Sequence, residues 1–163
     1  MSEIAEHARV SITLADYARI DNGKADILGA GWQVIGIGQQ GTTNPLAVVV
    51  GIATPPSHYG QEYAMELTLI DDETGEVAVP AASGSGSLRI GQTVVADAPT
   101  FPNQYVPPKT IWARHQLVAN FSSGISLVAG KTYTWQVRID GDNDHTWGVT
   151  FHVAGPPPGP VVG

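Results

Sequence analysis

The chain of 163 residues predicts an all-β fold, an antiparallel β-sandwich of immunoglobulin-like type with about nine short strands. Three observations carry that prediction. Apolar residues recur with period two in several segments of strand length, which is the signature of a half-buried strand. Turn signals separate these segments at intervals of roughly 8 to 15 residues. No segment carries a convincing amphipathic-helix pattern. The composition points the same way, with only 14% charged residues, 19 Gly and 12 Pro, a mixture suited to short strands joined by turns. One domain over residues 1–153, followed by a Gly/Pro-rich tail over 154–163, is the organisation expected at this length.

Val10, Ile12 and Leu14 alternate with Arg9, Ser11 and Thr13, so a first strand turns one face to the core. Asp21-Asn22-Gly23-Lys24 is a hairpin turn, because Asn and Gly tolerate positive φ, and the partner of the first strand is expected over 25–37. Within that partner, Gly29-Ala30-Gly31 predicts a bulge or a close backbone approach ahead of Trp32. LAVVVGI, residues 46–52, follows Asn44-Pro45 and predicts a strand buried on both faces, ended by Thr54-Pro55-Pro56.

Residues 62–71 set Tyr63, Met65, Leu67 and Leu69 against Glu62, Ala64, Glu66 and Thr68, the clearest half-exposed strand in the chain. Asp72-Glu73-Thr74-Gly75 turns it into residues 76–80. AASGSGS, residues 81–87, predicts a mobile hairpin tip or crossover loop, after which 88–95 resumes strand character. Residues 98–109 hold four prolines in twelve residues, which exclude a central strand and a helix. This is a surface loop that displays Phe101 and Tyr105. Residues 111–121 fit either period, with Trp112, Gln116 and Ala119 at helical spacing, and are assigned as a strand from the β pattern around them. Residues 131–139 alternate after Ala129-Gly130, and Asp140-Gly141-Asp142-Asn143-Asp144 turns them into 147–153 to complete a terminal hairpin. The tail has polyproline character and cannot join a ladder.

Composition excludes several function classes. Eight Lys and Arg against fifteen Asp and Glu leave a net charge of -7, and no basic cluster exists to neutralise a run of phosphates, so nucleic acid is not an expected partner. No apolar run of about 18 residues is present, and the opening MSEIAEHARV lacks the basic start and apolar stretch of a secretory signal. The expectation is a soluble protein made in the cytoplasm, with no membrane partner. The absence of cysteine removes disulfides, thiolate metal sites and cysteine nucleophiles.

Two segments, ADYARIDNGKADILGAGW over 15–32 and NFSSGISLVAGKTYTWQVRIDG over 120–141 with the strand that follows to Val153, carry a resemblance. They resemble the opening and closing hairpins of a poorly characterised family of small all-β proteins of actinobacteria and their tailed phages. The match covers most of residues 10–153 and consists of scaffold motifs. The resemblance implies a fold and a phage or phage-related setting, with no catalytic residue or cofactor to carry over. The Pro-rich loop and the tail lie outside the common pattern, and specialisation is expected there.

Candidate chemistry is sparse. Asp140, Asp142 and Asp144 have the one, three, five spacing that opens an EF-hand loop, but His145 stands at the sixth position and Phe151 at the twelfth, so a polar hairpin turn is favoured over a calcium site. Asp71, Asp72 and Glu73 form a second acidic turn, and a calcium site shared by the two would need both at one end of the sandwich. His7, His58, His115, His145 and His152 show no compact ligand spacing. No G-x-S-x-G elbow is present, and Ser83, Ser85 and Ser87 sit in a segment too pliable to hold a nucleophile. Trp135 and Trp147 are assigned to the core. Phe101 and Tyr105, on a proline-stiffened loop, read as interface residues.

The expected function is therefore non-enzymatic and structural, with neither cofactor nor metal. The chain assembles with itself and with a major capsid or other virion protein, as a capsid-decorating, minor capsid or other accessory protein of a tailed phage. Its expected location is the virion, and its expected state a homo-oligomer. Phe101, Tyr105 and Val106 are the expected loop contacts, with Pro156, Pro157, Pro158, Val161 and Val162 as a clasp. The alternative is a carbohydrate-binding β-sandwich module or tail adhesin component, with Trp112, Tyr105 and Trp147 as a stacking platform. A small-ligand binding domain, which would need a concave pocket, comes third.

Overall fold

A computed structural model describes residues 1–78, 87–156 and 159–160. The expected loop at 81–87 falls almost wholly outside the described residues, as do Pro157, Pro158, Val161 and Val162. Eleven strands are present among the described residues: β1 (Arg9–Ala15), β2 (Tyr17–Asp21), β3 (Lys24–Leu28), β4 (Val34–Gly36), β5 (Leu46–Thr54), β6 (Glu62–Asp71), β7 (Glu76–Val77), β8 (Arg89–Val95), β9 (Ala113–Phe121), β10 (Thr132–Ile139) and β11 (Gly148–Ala154). A short helix, α1 (Glu3–His7), precedes them. Ser2 starts it by accepting the Ala5 amide on its hydroxyl at 3.2 Å, and Ile4 and Ala5 dock into the core.

Two sheets face each other. One has the order β1-β5-β9; the other runs β4-β11-β10-β6, with β7 and β8 both pairing the free side of β6. With the β2–β3 hairpin, β4 and β7 set aside, the first, second and fifth main strands form one sheet and the fourth, third, sixth and seventh the other, as in an immunoglobulin-like sandwich. Leu46, Val48, Val50 and Ile52 of β5 meet Met65, Leu67, Leu69, Trp135, Val137 and Phe151 of the larger sheet in a single buried cluster. Trp135 is fully buried and stacks on Phe121 with ring centroids 5.6 Å apart. Tyr133 forms a tyrosine corner: its hydroxyl accepts the Val128 amide at 3.2 Å, pinning the loop that enters β10.

Two expectations need correction. The first strand does not pair with residues 25–37; β1 pairs antiparallel with β5. The Asn22-Gly23 turn, with φ of 49° and 72°, instead closes a small independent hairpin of β2 and β3. The expected long partner is broken at Gly29 and Gly31, whose φ values are 63° and 89°. The Asp16 side chain occupies the space that a Cβ at Gly29 would fill, and the Gly31 amide donates to the Leu14 carbonyl at 2.9 Å. The glycines thus do mark a close backbone approach, and the break, together with β2, raises the strand number from about nine to eleven. The expected antiparallel sandwich is present, with one parallel pair at its edge, β4 with β11.

The hairpin lies across the outer face of the smaller sheet. Ala18 packs on Ala15, Ala47 and Val49, and alanine at these positions lets the backbones come close. Asn120 of β9 locks the contact by donating to the Ala18 carbonyl at 2.7 Å and accepting its amide at 3.3 Å. This explains why the first part of β5 is buried on both faces, as its sequence predicts: the even positions meet the larger sheet, and Ala47 and Val49 sit under the hairpin.

Candidate functional site

The chain leaves the larger sheet at Ala96 and reaches the smaller one at Ala113, both buried, and the Pro-rich loop spans this crossover. Residues 98–111 contain no strand or helix, as their prolines require. The loop is shaped by a turn in which the Gln104 amide donates to the Phe101 carbonyl at 3.1 Å, and it is tied down where the Tyr59 hydroxyl donates to the Ile111 carbonyl. Around these ties it forms a cleft of about 600 Å³ lined by residues 98–102 and 104–111 and by Tyr59. Tyr105 stands 89% exposed and Phe101 39%, whereas Val106 is half-buried. Among the described residues no carboxylate or imidazole lines the cleft; its titratable groups are Tyr59, Tyr105 and Lys109. Such a lining packs or stacks and offers no acid–base pair.

A second apolar area has no counterpart among the residues singled out from the sequence. Tyr17 and Leu28 face each other across the β2–β3 hairpin and are 50% and 65% exposed, and Val34 on the edge strand β4 is also exposed. The hairpin covers the Ala47 end of β5, while the Pro-rich loop enters at Ala113, opposite Thr54 at the other end. The two areas therefore sit at opposite ends of the smaller sheet. The alternation in 17–28 offered the only signal, and it does not say which face the fold leaves open.

The proposed stacking platform does not assemble. Trp147 is buried, 6% exposed, as its assignment to the core requires. Trp112 is half-buried, and the Arg9 guanidinium lies over its ring at 4.3 Å from the centroid. Tyr105 belongs to the loop cleft. Pro156, the one clasp proline described, is exposed and outside any strand.

The acidic turns are occupied by local partners. Asp140 Oδ1 accepts the Ala64 amide at 2.8 Å, Asp142 Oδ2 accepts the Ser2 amide at 2.6 Å, and Asp144 Oδ1 accepts the Thr146 amide and hydroxyl at 2.8 and 2.6 Å. Those two bonds hold the Asp144 carboxyl below the usual range. Asp71 and Glu73 converge on the Lys131 ammonium at 2.9 and 3.0 Å. That bond lowers the Asp71 carboxyl and raises the Lys131 ammonium. Register places the turns apart, since Asp71 pairs Tyr133 at one end of β10 and Met65 pairs Ile139 at the other. The condition for a shared calcium site is not met. Among the described residues no three His, Cys, Asp or Glu side chains gather to hold a metal, and no helix is long and apolar enough to cross a membrane.

Compared with known proteins, the chain matches no family model, no curated protein and no solved structure.

Proposed function

We propose that this protein is a non-enzymatic structural protein that assembles with copies of itself on a larger particle, in the setting of a tailed-phage virion. The observation that carries the reading is the pair of exposed apolar areas, the Pro-rich loop with Tyr105 and the hairpin with Leu28, at opposite ends of the smaller sheet. A proline-stiffened loop loses little freedom on contact, so an aromatic presented on it gives up less of its burial energy to ordering than one on a pliable loop. Two dissimilar areas at opposite ends suit head-to-tail contacts, which close into rings or continue over a particle surface. The resemblance of the opening and closing hairpins to proteins of actinobacteria and their phages supports the virion setting, as a capsid decoration or minor capsid protein.

The test is light scattering of the purified protein over a concentration series, with a virion pull-down in the same buffer. A mass that is an integer multiple of the chain, with retention on particles, is the expected result. A monomer at every concentration that stays in the supernatant would overturn the reading.

A further inference from the structure

Gly51 interrupts the most β-branched strand of the molecule, between Val50 and Ile52. Glycine inside a strand costs about 0.5–1 kcal/mol relative to alanine and usually marks a bulge or a close approach by another group. The backbone does not ask for it here, and the one packing conflict is with the end of a side chain that can turn aside. Its φ is not positive, it pairs regularly with Ser11 and Gln116, and a Cβ would meet only the Ser11 hydroxyl, at 2.7 Å. The hairpin covers the neighbouring Val49 and Ala47 and stops short of Gly51.

What Gly51 makes is a floor. Register places Arg9 and Arg114 on either side of Ala53, and Ser11 and Gln116 on either side of Gly51, all on the outer face of the smaller sheet. The two arginine backbones are two strand spacings apart, about 10 Å. Small residues below and long polar ones beside them leave a groove of about 470 Å³, closed at one end by Trp112 and by Thr110 and Ile111 of the Pro-rich loop. Among the described residues no acidic side chain lines it, in a chain whose net charge is -7. Three of the basic residues, Arg19, Arg89 and Lys131, are ion-paired with carboxylates; Arg9 and Arg114 are not, among the described residues. The Arg9 guanidinium lies over the Trp112 ring in a cation–π contact, its carbon 4.3 Å from the ring centroid. Its in-plane N–H donors stay free for a planar anion.

We propose that this groove binds an acidic sugar, a uronate-type residue whose carboxylate is gripped by Arg9 and Arg114 and whose hydroxyls are met by Ser11 and Gln116. The volume suits a monosaccharide or disaccharide, and the glycine floor lets a pyranose ring lie against the sheet. The groove adjoins the Pro-rich loop through Thr110 and Ile111, but Arg9, Ser11, Arg114 and Gln116 lie outside that loop and binding there does not depend on assembly.

Calorimetric titration of the full chain with glucuronate, glucose and inorganic phosphate, with Trp fluorescence read in parallel, tests this. Glucuronate is expected to bind, more weakly as salt increases, and glucose not to bind. Arg114→Gln is expected to weaken binding about tenfold or more. Gly51→Ala is expected to weaken it comparably, with thermal stability equal to or above that of the parent. Absence of any glucuronate response, or binding unchanged in both variants, would overturn the proposal. Phosphate binding as well as glucuronate would overturn the sugar assignment and leave a simple anion site.

Discussion

At the scale of single residues, glycines divide into those that only turn the chain and those on which something else rests. Gly23 and Gly124 both have positive φ, 72° and 70°, but a Cβ at Gly23 would meet nothing within 4 Å, whereas one at Gly124 would strike the Thr43 carbonyl. Thr43 is buried, and its hydroxyl accepts the Ile125 amide at 2.9 Å, so it cannot retreat. Gly23→Ala is expected to cost about 1 kcal/mol, for the backbone conformation alone. Gly124→Ala should cost more than about 2 kcal/mol, with strain added to overlap. Urea midpoints at unchanged slope measure both. Equal costs would mean that Thr43 yields. The Asn22-Gly23 pair is legible as a turn because its conformational need is local. The role of Gly124 is not, because Thr43 lies eighty-one residues away in the chain.

At the scale of elements, two polar links join pieces that periodicity cannot relate. Asn120 fastens the β2–β3 hairpin to the smaller sheet through both atoms of its amide. Asn120→Ala is expected to cost about 1–3 kcal/mol, since two backbone groups lose their partners. Amide exchange should accelerate chiefly in residues 17–28. Exchange unchanged there would show that alanine packing alone holds the hairpin. The second link crosses the open side of the sandwich, where the Gln92 amide nitrogen donates to Nε2 of His115. Burial holds the His115 imidazole below its ordinary 6.5. Between that lowered value and 6.5 the unfolded chain carries a proton that the folded chain refuses, so stability is full at neutral pH and falls as the solution is acidified through this window. His115→Gln is expected to flatten the dependence of the urea midpoint on pH below about 6.5. An unaltered slope would assign the acid sensitivity elsewhere. Strands β6 and β10 were legible because alternation reports a half-buried surface, and β5 because an apolar β-branched run between turn signals reports a fully buried one; β9 was legible only from the β pattern around it. The partner of β1 was not, because alternation tells a strand which face to bury and not against which neighbour.

At the scale of the whole molecule, the assembly reading turns on the Pro-rich loop. Phe101→Ala with Tyr105→Ala changes side chains of a surface loop that take no part in the buried core cluster, so the melting temperature is expected to stay near that of the parent. Self-association should weaken by about 2 kcal/mol for each aromatic that acts as an anchor. Light scattering on the double variant reads this directly, and a mass distribution identical to the parent's would remove the loop from the interface. The loop was found in the sequence because four prolines within residues 98–109 forbid regular structure whatever surrounds them. The exposed hairpin face and the arginine groove were not found. Arg9, Gly51 and Arg114 are far apart in the chain and become neighbours only when β1 and β9 flank β5. By itself the sequence determined the all-β class, most strand segments, the turns and the Pro-rich crossover, since each follows from steric and solvation preferences acting over a few residues. The tertiary structure alone decided strand order, the closure of the hairpin over β5 and the surfaces left open. Those depend on which distant apolar faces cover one another, a choice made by the packing of the whole chain.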